Sequence, residues 1–359
     1  MTQLLQQLGV AAYRQRLPWL GGDLQTLRDT LRPMRLPPDQ GQPLQIPVPA
    51  LHSGAAPAGQ LLAVLDQPVS GPAQALVVLL HGLGGSSRRE GMRRLGLSLQ
   101  LSGFAVLRLN LRGADPGRHL AAGTYAACCN SDLLPVLMRA RELASELAQA
   151  SGRLQPLPLL GAGMSLGGTM LLNAALESAG VLDGLFCASS PLDLAACSAS
   201  IERSRNRIYQ RWLLQRLVRQ TLADPFGVTA TEEQLLRKTP PRSIRAFDAA
   251  ITAPRWGYDS VEEYYRRASP LVRLLDPKAR RRLPPTLLLQ ALDDPWVPAR
   301  PAQELQRSIG ALNQSDEVEP LSILLTARGG HNGFHASGDS LTAGSWSDRL
   351  AKAWYQQLL

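Results

Sequence analysis

Six short apolar runs recur along the chain, at residues 75–80, 105–109, 157–160, 185–188, 286–290 and 322–326, and each ends in glycine-rich or polar punctuation. Apolar residues at consecutive positions suit parallel strands covered on both faces, because neither side of the pleat then meets water. Stretches with helical spacing lie between them, 132–148 and 166–179 among these. Strand and helix in alternation predict an α/β fold around a mostly parallel central sheet flanked by helices. No internal repeat is visible. The alternation stops between 192 and 283, where arginine-rich helical stretches at 200–222 and 260–275 are punctuated by Pro225, Pro240, Pro241 and Pro254. That segment is expected to be a helical insertion over the carboxyl edge of the sheet. Residues 1–70, proline-rich at 32–50, predict an irregular arm leading into one or two antiparallel edge strands. The expected organisation is therefore 1–70 arm and edge strands, 71–191 first part of the core, 192–283 helical cap and 284–359 second part of the core.

Composition narrows the class. Of 359 residues 45% are hydrophobic and 19% charged, enough apolar material for a large core, which excludes a disordered chain. Every apolar run is interrupted well before the roughly 18–20 residues needed to span a bilayer. The first residues lack a basic region followed by a clean apolar one, so no signal peptide is read and a cytoplasmic location is expected. Four cysteines without a CxxC are expected to be reduced thiols, with no structural zinc. The net charge is +9, and residues 192–283 hold 18 Lys and Arg against 10 Asp and Glu. Two readings stand: a solvated helical face, or a surface that meets anionic lipid or an acidic substrate. No finger, RNP or basic-zipper pattern points to nucleic acid.

The chemistry centres on Gly163-Met164-Ser165-Leu166-Gly167, between a buried strand and a helix. A serine on such a turn exposes its Oγ, and small neighbours let the backbone close in. Its base is expected to be His331, in the glycine-bounded loop after the last strand; His335, four residues on, is the alternative, and His52 and His119 are read as solvated. The orienting acid is sought after the penultimate strand in Asp293-Asp294-Pro295. Asp294, next to the turn-forming proline, is favoured over Asp293, which could instead cap a helix start. His81-Gly82-Leu83-Gly84-Gly85 follows the 75–80 strand and offers an oxyanion hole through the amides of Leu83 and Leu166, with the His81 side chain a structural hydrogen-bonder.

On these motifs the chain resembles the YheT-like esterase family of α/β-hydrolases, the group related to animal lipases and phospholipases. Pro18-Trp19 with Asp23-Leu24-Gln25-Thr26 is similar to the family's N-terminal signature, and HGLGGSS, NLRG, GMSLGGTMLL and SSPLDL follow in family order. Segments 208–214, 244–253, Gly257-Tyr258 and Tyr264-Tyr265-Arg266 resemble family segments too. The resemblance implies an α/β-hydrolase fold with a helical cap, Ser165, Asp294 and His331 as triad, and hydrolysis of carboxylic esters, lipid esters included. It departs at residues 124–130 and at Asp23, where the family carries other residues, so no substrate preference transfers.

The expected function is a serine esterase needing neither metal nor organic cofactor. Serine at the elbow disfavours dehalogenase and epoxide-hydrolase chemistry. Acyl transfer to another acceptor, a peripheral membrane lipase and a non-catalytic ligand-binding scaffold remain as alternatives. The aromatic residues Trp212, Trp256, Tyr258, Tyr264 and Tyr265 are open to two readings, acyl-pocket lining or core packing.

Overall fold

The computed structural model describes residues 2–51, 56–312 and 319–359. His52 lies outside the described residues. Eight strands form one sheet: β1 (Gln42–Val48), β2 (Gly59–Asp66), β3 (Leu76–Leu80), β4 (Ala105–Leu109), β5 (Leu159–Met164), β6 (Gly184–Ala188), β7 (Thr286–Ala291) and β8 (Leu321–Thr326). Their spatial order is β1-β2-β4-β3-β5-β6-β7-β8. β2 pairs antiparallel with β1 and β4, whereas the pairings from β4 to β8 are all parallel. The six apolar runs are six of these strands. Boundaries move by one residue in most of them and by more in β5, which starts at Leu159 and continues through Gly161 and Gly163, residues that read as punctuation in the sequence.

All five residues of β3 are buried, and the pleat sorts them between two cores. Leu76, Val78 and Leu80 pack on the side of helices Asn130–Ala150 and Leu166–Glu177. Val77 and Leu79 pack on the side of helices Glu90–Gln100 and Trp346–Leu358. Each such side chain contributes about 1.5–3 kcal/mol when fully buried, which is why the run tolerates no polar residue.

Between β6 and β7 the described elements are helices only. Two helices expected there are broken. The stretch 200–222 is divided into Leu194–Ile201, a short turn at Ser204–Asn206, and Arg207–Leu222. Asn206 fixes that corner by donating to the carbonyls of Ser200 and Pro295. The stretch 260–275 is Val261–Ala268 and Leu271–Leu275, parted at Pro270, whose missing N–H and ring cannot continue a helix.

The N-terminal arm is more regular than expected, with helices Thr2–Gln7 and Gly22–Leu31. The second is hidden in the sequence because the residues it buries are Gln25 and Arg28, not an apolar stripe.

Candidate active site

β5 ends directly before Ser165, which takes φ 54° and ψ −127°. Such a backbone conformation costs a non-glycine residue on the order of 1–3 kcal/mol. It is held by the surroundings: the Ser165 N–H donates to Ala188 O at 2.8 Å. A Cβ on Gly163 would collide with the backbone of Gly168, so the strand and the following helix meet where only hydrogen fits.

His331 follows β8 and Asp294 follows β7, bringing both loops to the carboxyl edge beside Ser165. His331 Nε2 lies 2.9 Å from Ser165 Oγ, and its Nδ1 lies 2.9 Å from Asp294 Oδ2. With Nδ1–H donating to the carboxylate, Nε2 is left to accept from the serine hydroxyl. The Asp294 side chain is 0% exposed. Its Oδ1 accepts the N–H groups of Trp296 and Val297 at 2.8 and 3.0 Å, and Oδ2 accepts Gln290 Nε2 at 3.3 Å. Among the described residues no arginine or lysine pairs with it, so the imidazole is its partner for charge.

The alternatives lie elsewhere. Asp293 Oδ1 accepts the Gly330 N–H at 2.9 Å, and burial raises its carboxyl above the usual range. His335, the alternative base, is buried away from Ser165, with Nε2 3.1 Å from Asp29 and Nδ1 3.5 Å from Asp339. His81 is held neutral by burial, its pKa lowered to about 4. Its Nε2 accepts the Leu111 N–H at 3.3 Å, leaving Nδ1–H to donate to Gly82 O at 2.8 Å. His119 is exposed.

His81 pins the glycine loop against the serine. A Cβ on Gly82 would lie 2.8 Å from Ser165 Cβ and 3.3 Å from its Oγ. The Gly84 N–H is taken by the Tyr125 hydroxyl at 2.7 Å. Leu83 sits between these anchors. Leu166 opens its helix, where the first amides have no intrahelical acceptor.

Sequence reasoning missed several neighbours of His331. Trp296 stacks on its ring at 4.5 Å and 28°. The Ser189 hydroxyl accepts the Asn332 N–H at 3.1 Å, and the Thr26 hydroxyl accepts the His331 N–H at 2.8 Å. Proximity of Trp296 to the acid loop was visible, but no spacing in the chain ties it to a ring after another strand.

Ser165 and His331 open into a cavity of about 620 Å³, walled by Leu83, Leu213, Leu217, Phe247 and Val297 among others. Tyr264 and Tyr265 line it and are buried, and the 44% exposed Trp212 lines it too, whereas Trp256 and Tyr258 are not among its lining residues. All four cysteines are free, and burial raises the Cys187 and Cys197 thiols well above their usual range. Among the described residues no helix is long and apolar enough to cross a membrane.

A model of the alpha/beta hydrolase family matches residues 77–343. YheT of Escherichia coli (strain K12), named as an esterase, is 28% identical over 300 residues, spanning 82% of this chain and 80% of its own. Phospholipase ABHD3 of Homo sapiens is 27% identical over 79% of this chain, and the match spans 64% of that relative. Monoacylglycerol lipase of Saccharomyces cerevisiae is 26% identical over 81% of this chain and 59% of its own. This chain thus spans less than two thirds of those last two relatives. Among solved structures, carboxyl esterase 2 from Tuber melanosporum shares 16% identity over 96% of this chain and all of its own, with a TM-score of 0.56. A soluble variant of monoglyceride lipase from Saccharomyces cerevisiae gives 0.51 at 18% identity, over 90% of this chain and 99% of its own. At these identities the structures share the fold. With the family match covering residues 77–343, from β3 past the histidine loop, the chain belongs to the alpha/beta hydrolase family.

Proposed function

We propose that the protein is a serine esterase cleaving carboxylic esters, lipid esters among them. The observation that carries this reading is the continuous relay from Ser165 Oγ through His331 to Asp294, 2.9 Å at each step. Ser165 Oγ attacks the ester carbonyl while His331 Nε2 takes its proton, and Asp294 stabilises the imidazolium. The amides of Leu83 and Leu166 hold the resulting oxyanion. His331 then gives its proton to the departing alcohol, leaving an acyl-Ser165. Water, deprotonated by His331, attacks that acyl group; the carboxylic acid leaves and the proton returns to Ser165. None of these steps calls on a metal or an organic cofactor.

The names of the relatives, an esterase, a phospholipase and a lipase, support esters as the substrate class. The apolar walls of the cavity support an acyl chain as its occupant. In this reading segment 192–283 is the cap, since it supplies Leu213, Leu217 and Phe247 to those walls. A second reading, weak contact with an anionic membrane surface, is favoured by helix Arg207–Leu222, where Ile208 is 82% and Trp212 44% exposed beside Arg207 and Arg211. The site is tested by a fluorophosphonate probe with intact-mass and peptide mass spectrometry. One adduct per chain, mapped to Ser165 and absent from Ser165→Ala, is the expected outcome. A chain that stays unlabelled loses the esterase reading.

A further inference from the structure

The histidine loop between β8 and helix Trp346–Leu358 carries backbone strain. Gly330, Asn332 and Phe334 all have positive φ, at 60°, 54° and 46°, and two of the three carry side chains. Such a run persists only where the surroundings over-determine it. Much of that determination comes from helix Gly22–Leu31, some 300 residues away in sequence.

The contacts are specific and polar. The Thr26 hydroxyl donates to Gly22 O at 2.7 Å, which commits its hydrogen and turns a lone pair toward the His331 N–H, 2.8 Å away. Gln25 is fully buried and grips the loop four residues further on: its Oε1 accepts the His335 N–H at 2.7 Å and its Nε2 donates to His335 O at 3.1 Å. The same Nε2 donates to Trp19 O at 2.6 Å, so the amide is itself anchored. Backbones touch as well. A Cβ on Gly330 would collide with Gly22 O, one on Gly333 would lie 2.6 Å from Gln25 O, and one on Gly22 would collide with Asp293 O. One short helix thus bears on the acid loop and the histidine loop together. At its outer end Asp23 accepts the Tyr209 hydroxyl at 3.0 Å and Arg205 at 2.9 Å, both from the helical segment.

We propose that Thr26 and Gln25 are positioning residues for His331, and that helix Gly22–Leu31 is a splint that sets the imidazole between Ser165 and Asp294. The inference rests on His331 being the base of the proposed esterase. A scaffold contact would need only apolar packing; here the two residues instead bond the backbone of His331 and of His335. A displacement near 1 Å at a catalytic group costs on the order of 10²-fold in rate, so the splint acts on turnover more than on substrate binding.

The test compares Thr26→Val, which keeps the shape and removes the acceptor, with Thr26→Ser, which keeps the acceptor. Steady-state hydrolysis of a p-nitrophenyl ester and the rate of fluorophosphonate labelling of Ser165 are measured on the full chain, with thermal melting alongside. In Thr26→Val, kcat falls about 10- to 100-fold and labelling slows in step, while KM stays within about twofold. Thr26→Ser restores both rates, and Gln25→Leu behaves as Thr26→Val does. If Thr26→Val does not fold, Thr26→Ala, which adds no bulk, carries the same expectation. A folded Thr26→Val or Thr26→Ala enzyme with wild-type kcat overturns the proposal while leaving the esterase reading intact. A wild-type chain that neither turns over nor labels overturns both.

Discussion

In the proposed mechanism the adjacent aspartates Asp294 and Asp293 take a catalytic and a structural role, by what each faces. Asp294 takes the imidazole and three further donors, whereas Asp293 takes the Gly330 backbone. Asp294→Asn keeps the volume but leaves His331 facing an amide that favours the wrong tautomer. Its kcat on an ester is expected to fall on the order of 10⁴-fold. Asp293→Asn keeps an oxygen for the Gly330 N–H, so its kcat should change less than about tenfold. Equal losses in the two variants would contradict the assignment. Ser165, His331 and Asp294 could be picked out of the sequence because each lies in a glycine- or proline-marked loop at a strand end. Thr26 and Gln25 stand out only as part of an N-terminal signature, and nothing in the sequence ties them or Trp296 to the histidine loop. Their partners lie on other loops, and Gln25 is a polar residue in the position where an apolar one would have marked a helix.

Among the elements, the short π-helix Asp248–Thr252 in the helical segment holds a buried acid. Asp248 accepts the Tyr265 hydroxyl at 2.8 Å and lines the cavity, and burial raises its pKa from 3.8 to about 6. Thr252, Tyr265, Tyr264 and Cys197 surround it, and among the described residues no cation pairs with it. The folded state therefore binds its proton more tightly than the unfolded state. That contribution to stability is complete below the ordinary value of 3.8 and is lost as pH rises through about 6. Asp248→Asn stays neutral throughout, so relative to wild type it should melt progressively higher between pH 4 and 7. Melting curves that shift in parallel across that range would contradict this account. Helices broken at Asn206 and Pro270 show where periodicity misleads. A break set by Asn206 bonding the acid loop is a tertiary event, whereas Pro270 was in view and could have been read. Strands fared better, because burial on both faces leaves an unbroken apolar run.

Across the whole molecule two groups of arginines stand out. Arg94, Arg112 and Arg280 are buried and paired with Asp348, Asp132 and Glu319. Breaking one such pair costs about 3–5 kcal/mol, because the other charge is left uncompensated. Others in the helical segment pair with acids outside it: Arg205 with Asp23 and Arg273 with Glu177. Those pairings reduce the local positive excess that the sequence displays, so membrane contact should be weak and governed by salt. Sedimentation with phosphatidylglycerol vesicles is expected near 0.01 M salt, where the screening length is about 30 Å, and should be lost by about 1 M, where it is about 3 Å. Phosphatidylcholine vesicles should leave the protein in the supernatant. No sedimentation with anionic vesicles at the lower salt would remove the membrane reading without touching the active site.

Hydrolysis of p-nitrophenyl esters of graded acyl length, by wild type and Ser165→Ala, asks whether Ser165 is the nucleophile of an esterase. Turnover is expected in the wild type with an optimum at the chain length that fills the cavity, and a loss of at least about 10³-fold in Ser165→Ala. A Ser165→Ala variant that hydrolyses esters as fast as the wild type would contradict that role.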